Sequence, residues 1–267
     1  MEDFKYLKDN KALLIAQKKS AMKKADAFSF IYQATTKSGE EVKAITDVPI
    51  EEIGTIRVKV VINTTNIIDS HNDCHIPNLW KKTLQEKKII YLLNNHELCF
   101  DEVISDEVKA YTEQTTFKAL GIELNSPTEA LIFEATINAE RNEDMFKAYL
   151  KGWVKNHSVG MQYVQLFLCI NSEEKYYSEE KTNWDKYYPI VANKEQADER
   201  GCFWAVTEAK LIEGSAVVIG SNTATPTISV EQVTPSIDTE QEDSRKSTIN
   251  PEELKELIKE QLTKIKF

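Results

Sequence analysis

Ser158 has the sequence surroundings of a candidate nucleophile. It lies within Lys151–Tyr163, which reads Lys-Gly-Trp-Val-Lys-Asn-His-Ser-Val-Gly-Met-Gln-Tyr. Apolar residues at helical spacing end at Gly152, a residue type that favours the left-handed end of a helix, and alternation from Val154 onward predicts a strand. Ser158 and Gly160 then share the less apolar face of that strand. A lone serine there is usually an ordinary surface residue, so a catalytic role requires partners elsewhere in the chain.

The four histidines are the candidate bases. A nucleophilic serine needs a base, and the base needs a third group that fixes its tautomer. His157 adjoins Ser158 on the predicted strand and therefore points to the opposite face, while two other histidines fall in a polar loop. His96 follows the apolar run Ile89–Leu93, which we predict to be a buried strand. The mouth of such a strand suits a general base.

Two glutamates compete for the third position. Glu208 and Glu213 lie in the otherwise apolar run Ala205–Ile219, where an unpaired carboxylate is costly. They are five positions apart and face opposite ways on a regular strand. Only one of them can therefore join His96 unless a bulge intervenes.

A metal site is the alternative chemistry. The pattern His-x2-Cys-His followed by His-x2-Cys offers imidazole and thiolate ligands at His71, Cys74, His75, His96 and Cys99. The spacing matches no closed zinc finger, and such cysteines are commonly small buried residues. The chain's four cysteines form no Cys-x-x-Cys pair, which predicts reduced thiols. We therefore predict no metal and no cofactor.

The composition limits the classes of function. At 267 residues the chain can bury a sizeable core, and its net charge of −10 argues against a dedicated nucleic-acid binder, which normally carries a basic face. No apolar run approaches the ~20 residues that span a bilayer. We expect a soluble protein that binds neither nucleic acid nor membrane.

Strands and helices are predicted in mixed order. Alternating or continuous apolar runs predict strands, and apolar residues at helical spacing predict helices. The expected strands are Phe28–Ala34, Thr55–Ile62, Glu107–Tyr111, Ala130–Ile137 and Phe203–Ile219, and the expected helices run from Pro77 to Leu84 and from Met145 to Leu150.

The chain divides into four predicted parts. The lysine-rich pattern of residues 1–53 predicts a helical arm followed by a linker. The arm could pack on the domain or contact a membrane or an acidic partner. Residues 54–226 predict the compact domain, with an insertion or mobile loop at 171–201. Residues 227–250 are polar and predict a linker, and residues 251–267 predict an amphipathic helix that docks on the core or on another protein.

Four segments in order resemble the prohead proteases of tailed phages, which act in capsid maturation. Asn66–Trp80 is similar to the opening signature, an Asp, a Gly-Asp pair, then Pro-Gly and an aromatic residue. Ile89–Glu97 resembles the apolar strand that ends in the catalytic histidine, and Leu150–Met161 resembles the nucleophile strand with its Ser-hydrophobic-Gly. Glu208–Ala224 resembles the closing signature, Glu-x-x-Leu-x-Glu-x-Ser-x-Val.

Several positions depart from that pattern. Asn72 and Asn78 stand where the family usually has glycines, and Gly214 occupies a usually branched position. The 171–201 segment is longer than the resemblance leads us to expect.

The resemblance implies an α+β fold and a serine endopeptidase. The fold would be a small, mostly antiparallel β-barrel surrounded by helices, as in herpesvirus assemblins. His96 would be the base, Ser158 the nucleophile and Glu208 the third member, with Glu213 as second choice. Backbone N–H groups near Ala216 and Val217 are implied as the oxyanion hole.

The resemblance also implies partners and a location. The substrates would be the scaffold protein, the scaffold-like segment of the major capsid protein and the protease itself, inside the viral procapsid in the host cytoplasm. The resemblance is compatible with a homo-oligomer. Residues 227–267 would form an assembly or scaffold-docking tail. The first alternative is a catalytically silent assembly protein with the same fold, and the second is a metal-dependent hydrolase.

Overall fold

The computed structural model describes residues 3–22, 54–86, 89–219 and 226–232. These residues belong to the first of the two units into which the chain divides, Met1–Val233 and Thr234–Phe267. The expected strand Phe28–Ala34 and the expected C-terminal helix at 251–267 lie outside the described residues.

Strands and helices are interspersed along the described chain. The strands are β1 (Thr55–Thr64), β2 (Asp73–His75), β3 (Leu92–Asn94), β4 (Val103–Ser105), β5 (Glu107–Thr116), β6 (Pro127–Asn138), β7 (Asn156–Ile170), β8 (Cys202–Val217) and β9 (Thr227–Gln232). The helices are α1 (Phe4–Asp9), α2 (Lys11–Ser20), α3 (Lys81–Gln85), α4 (Glu143–Leu150), α5 (Ser178–Tyr187) and α6 (Lys194–Arg200). The predicted α+β class is confirmed.

The described strands form two sheets and no closed barrel. One is a four-stranded antiparallel sheet in the order β5-β6-β1-β9. The other has five strands organised on β8, which pairs antiparallel with β7 on one side and parallel with β2 and β3 on the other, while β4 extends the sheet beyond β3. Long β8 thus contacts three strands from separate parts of the chain.

The two sheets pack closely at Gly214. A Cβ atom at this position would lie 2.5 Å from Cε2 of Phe133 and 2.9 Å from Cδ1 of Ile62, both on the other sheet. Real Cβ atoms do not approach so closely, so a glycine is required where the core is filled by the buried faces of β1 and β6. One face of β8 is therefore fixed against the other sheet, which leaves the opposite face for polar residues.

Several predicted elements are confirmed. The strand predictions around β1, β5, β6, β7 and β8 hold, with β5 extending to Thr116. Gly152 follows α4 with φ 67°, the left-handed conformation expected at a helix end.

Two predicted boundaries are wrong. The predicted strand Ile89–Leu93 shrinks to the three residues of β3, and Ile89 is 71% exposed. Within the predicted run, only Leu92 and Leu93 pair with strands on both sides, β8 on one and β4 on the other. An apolar run alone does not show how many of its residues have neighbouring strands. The predicted helix from Pro77 begins at Lys81 instead, because Asn78 has φ 70° and interrupts right-handed helix geometry.

Of the two alternatives for 171–201, the mobile loop is wrong, and the insertion stays a prediction. Two helices, α5 and α6, occupy most of this segment. Trp184, Tyr187 and Ala197 are buried and pack with Phe203 of β8 in a second core cluster. Each helix has few apolar residues because only a narrow stripe faces the sheet, so the helical period is hidden by charged residues.

The predicted linker cannot begin at residue 227. Thr227–Gln232 is β9, which pairs antiparallel with β1 at the edge of the four-stranded sheet. Ile228 and Val230 are only partly buried, so this edge strand reads as a polar segment in the sequence. The domain therefore extends to at least residue 232.

Helices α1 and α2 pack on the domain, as the packing alternative for the arm predicts. Lys8 and Lys11 contact the fully buried carboxylate of Glu180, with N–O distances of 2.5 and 2.7 Å. Lys18 Nζ lies 2.5 Å from Oδ1 of the fully buried Asp73. Among the described residues no helix is long and apolar enough to cross a membrane.

We expect Lys18→Met to destabilise the protein by about 2 kcal/mol, because it leaves a buried carboxylate without its cation. The methionine retains most of the apolar stem of the lysine. The measurement is the free energy of unfolding in urea.

Lys19→Met is the matched control, since the Lys19 side chain makes no ion pair with any residue that the structure describes. Equal losses in the two variants would contradict the importance of the Lys18–Asp73 pair.

Candidate active site

A buried histidine and a buried glutamate form a direct hydrogen bond beyond the end of β3. His96 Nδ1 lies 2.6 Å from Oε1 of Glu213, which is on β8. His96 is 3% exposed and Glu213 is fully buried. A buried carboxylate requires hydrogen-bond donors or a cation, and the imidazole provides one of them.

Ser215 provides the second donor. Its Oγ donates to Oε2 of Glu213 at 2.6 Å and accepts from the backbone N–H of His96 at 3.1 Å. Ser215 is fully buried and lies two residues after Glu213, on the same face of β8. The sequence prediction gave this serine no role, although its two-residue spacing from a candidate acid was a usable signal.

The backbone that presents His96 has an unusual conformation. Asn95 and His96 have φ values of 51° and 60°, in the left-handed region that non-glycine residues rarely adopt. The turn is held by the Asn95 N–H, which donates to the Ala216 carbonyl at 2.9 Å, and by the His96 N–H bond to Ser215. Such strained residues persist where surrounding contacts determine them, and they concentrate at functional sites.

The strand register brings Ser158 to the same place. Ser158 is directly opposite Ser215 in the antiparallel ladder of β7 and β8, and Gly160 is opposite Glu213. Opposite residues share a face of the sheet, with Cβ atoms about 4.5–5.5 Å apart. Ser158 is therefore beside the His96–Glu213 pair, and it is 5% exposed.

Gly160 is required by the glutamate. A Cβ atom on Gly160 would lie 1.8 Å from Oε1 of Glu213, the oxygen that bonds His96. No side chain fits there unless the carboxylate moves. The glycine two residues after Ser158 thus makes room for the acid.

The second ring nitrogen of His96 is free of hydrogen bonds within the described part of the chain. Nε2 is buried and without a partner, so its hydrogen bond to the Ser158 hydroxyl is not formed in this structure. Hydrogen bonds between nucleophile and base are often long before substrate binds. With Nδ1 on the carboxylate, Nε2 is the ring atom that can take a proton.

Glu208, the first choice for the third member, is not beside His96. Its carboxylate bonds Lys82 Nζ at 3.0 Å near the surface. Glu208 is five residues from Glu213 along β8, a distance of roughly 16 Å in an extended strand. The structure therefore places the second choice, Glu213, on the histidine.

The residues implied for the oxyanion hole lie at the end of β8. Ala216 pairs with Asn94 of β3 and His157 of β7, and Val217 pairs with Asn156. They are adjacent to Ser215, one and two residues beyond it, so they are near the candidate nucleophile. Their role stays a prediction.

His157 has a structural environment. It is fully buried, and its Nε2 lies 2.9 Å from the hydroxyl of Tyr149. It is on the face of β7 opposite to Ser158, as the alternation predicted.

The residues of the predicted metal alternative do not come together. The described residues contain no group of three or more His, Cys, Asp or Glu side chains arranged to hold a metal ion. Cys74 is buried in an apolar cluster, whereas Cys99 is exposed. His75 Nδ1 contacts the amide of Asn63 at 2.9 Å, and burial lowers the pKa of His75 to about 4.

A second buried polar cluster lies near β2. Tyr163 donates to Oδ2 of Asp73 at 2.9 Å, and Asp69 Oδ1 accepts from the backbone N–H groups of His71 and Asp73. Burial, followed by the charge of Asp73, raises the pKa of Asp69 to about 7. Helix α2 contacts this cluster through the ion pair of Lys18 with Asp73.

No protein-family model matches this chain, and neither does any curated protein or solved structure. Any functional interpretation therefore rests on the geometry of the site. The site consists of a buried acid, a histidine bonded to it through Nδ1, and a serine in register on the neighbouring strand. Acyl transfer by a serine nucleophile requires these three kinds of group, with Nε2 as the atom that moves the proton.

We expect Gly160→Ala to cost about 2 kcal/mol or more of unfolding free energy, because the methyl group overlaps the Glu213 carboxylate. Gly54→Ala is the matched control, since a Cβ at Gly54 meets no atom within 4 Å. Urea unfolding of both variants measures the difference. Equal stability of the two variants would show that the carboxylate moves aside freely.

We also expect Asp69→Asn to change how stability depends on pH. The pKa of Asp69 is raised in the folded protein, to about 7, so its stabilising contribution is complete below the unfolded pKa of about 4 and is lost as pH rises through 7. The stability of the variant relative to wild type should therefore rise as pH rises from about 4 to about 7, by at most about 1.4 kcal/mol per pH unit, and should level off above pH 7.

Urea unfolding at several pH values measures this effect, with the exposed Asp106→Asn as control. Wild-type and Asp69→Asn profiles that run parallel would rule out titration of Asp69 in this range.

Proposed function

We propose that this protein is a serine endopeptidase of phage capsid assembly. The observation that carries the proposal is the His96 Nδ1–Glu213 hydrogen bond, together with an Nε2 that has no hydrogen-bond partner among the described residues and with Ser158 opposite Ser215. The orienting group bonds one ring nitrogen, and the other nitrogen remains for the nucleophile. This is the division of roles that a serine hydrolase needs.

The mechanism follows from these roles. Ser158 Oγ attacks the peptide carbonyl carbon while Nε2 of His96 takes the hydroxyl proton. Glu213 holds the Nδ1–H and stabilises the imidazolium. The tetrahedral intermediate then collapses, the leaving amine takes the proton from Nε2, and a water molecule hydrolyses the acyl-enzyme by the same steps. Backbone N–H groups near Ala216 and Val217 would hold the oxyanion.

Two departures from the family pattern support the relationship with prohead proteases. Asn72 and Asn78 replace glycines of the resembled signature, and their φ values are 61° and 70°. Asparagine is the residue that best tolerates this left-handed conformation after glycine. The substitutions therefore retain the backbone geometry that the glycines would supply.

The positions of the resembled segments also support it. β2 comes from the opening signature, β3 from the histidine segment and β7 from the nucleophile segment, and all three pair with β8 of the closing signature. A distant relationship to the assemblin fold is part of the proposal, with two packed sheets in the described residues where the assemblins have a barrel. The packing of β1 against β7, which brings the two sheets together, supports this relationship.

The substrates in this proposal are the scaffold protein, the scaffold-like segment of the major capsid protein and the chain itself. Cleavage takes place inside the procapsid in the host cytoplasm. Residues beyond β9 serve as the scaffold-docking tail, and assembly into a homo-oligomer is compatible with this role.

A catalytically silent assembly protein is the second candidate. The observation that favours it is the missing hydrogen bond between Ser158 and His96 Nε2. In that function the buried His96–Glu213 pair would hold β3 to β8 without carrying out chemistry.

Cleavage assays with active-site variants separate the two functions. We expect Ser158→Ala and His96→Ala to abolish cleavage, and Glu213→Gln to lower kcat by about 100-fold or more because the imidazolium loses its counter-charge. Self-cleavage of the whole chain and digestion of a peptide library are followed by mass spectrometry.

Glu208→Gln is the matched control for the acid and should stay within about threefold of wild type, because Glu208 bonds Lys82 at the surface. Undiminished cleavage by Ser158→Ala would end the proposed mechanism. Absence of cleavage by wild type, also in assembled proheads, would favour the silent assembly protein.

A further inference from the structure

We propose that Ser215 is a positioning residue that fixes both the tautomer and the orientation of His96. Its single hydroxyl connects the main chain of His96 to the carboxylate of Glu213. The consequence for kcat rests on the proposed function, whereas the consequence for the histidine tautomer does not.

Hydrogen-bond accounting fixes the direction of each bond. A hydroxyl has one proton and can accept through its lone pairs. The backbone N–H of His96 can only donate, so Ser215 Oγ accepts there and gives its proton to Glu213 Oε2. The carboxylate then has one donor on Oε2 and needs a second on Oε1. Nδ1 of His96 must therefore carry the imidazole proton, which leaves the lone pair on Nε2.

The same hydroxyl stabilises the strained turn. His96 has φ 60°, a left-handed conformation that strains the backbone of a non-glycine residue. Without Ser215 Oγ its backbone N–H would lose the only partner that holds it at this buried position among the described residues. A buried unsatisfied N–H is costly in addition to the strain. Ser215 thus fixes the direction in which the ring leaves the backbone.

These bonds also distinguish two serines that face each other. Ser215 is fully buried, its proton is given to Glu213, and it accepts from His96. It is therefore not available as a nucleophile. Ser158, directly opposite, is the residue left to react.

The first test is NMR of the full chain with ¹⁵N-labelled histidine. We expect wild type to show His96 protonated on Nδ1, with a far-downfield proton from its 2.6 Å bond to Glu213. Ser215→Ala should lose that proton signal and show a mixture of tautomers. Ser215→Cys retains most of the volume but donates weakly, so it should show an intermediate pattern and serves if the alanine variant does not fold.

Ser105 provides matched controls. It is also a buried serine with two bonds: Oγ donates to the Thr136 carbonyl at 2.6 Å and accepts from the Glu107 N–H at 3.1 Å. Ser105→Ala and Ser105→Cys should leave the His96 signals unchanged. A wild-type His96 pattern in Ser215→Ala or Ser215→Cys would overturn the inference, and so would equal perturbation by the Ser105 variants.

The second test is kinetic. Ser215→Ala should lower kcat by about 10- to 1000-fold with KM within about threefold, because the base is misplaced while substrate contacts remain. Wild-type kcat in that variant would overturn a positioning role. If wild type itself cleaves nothing, the proposed function fails, and the NMR result still decides whether Ser215 fixes the His96 tautomer.

Discussion

The fully buried carboxylate of Glu213 is the interaction on which the site depends. A charge in the interior is tolerated only with close donors, and the described residues supply two, from His96 and Ser215, each at 2.6 Å. The same carboxylate excludes any side chain larger than hydrogen at Gly160. This one carboxylate therefore constrains the residue types at positions 160 and 215 and the turn that places His96 beside it.

β8 connects this acid to the rest of the fold. On one face Gly214 allows β8 to contact the core of the four-stranded sheet, and on the other Glu213 and Ser215 point into the site. β3 brings His96 and β7 brings Ser158 to opposite sides of this strand. Close packing on the Gly214 face of β8 fixes the position of the strand, and with it the position of the Glu213 carboxylate. The geometry of the site therefore depends on the packing of the core.

Those parts of the candidate site that depend on local sequence pattern could be predicted from the sequence. Alternation indicated the strand that carries Ser158, and its neighbour His157 was correctly assigned to the other face. The choice between Glu208 and Glu213 could not be made locally, because it depends on which point of β8 lies beside β3. Register is a long-range property. The helices at 171–201 and the strand β9 were missed because their apolar faces are narrow or only half-buried.

The long separation between His96 and Glu213 has a consequence for biosynthesis. The two residues are 117 positions apart, and β8 ends only at Val217. Contacts of such high sequence separation form late, since the loop between them must close first. During synthesis His96 therefore leaves the ribosome long before its acid exists. The nascent chain cannot assemble the histidine–glutamate pair until almost the whole domain has been translated.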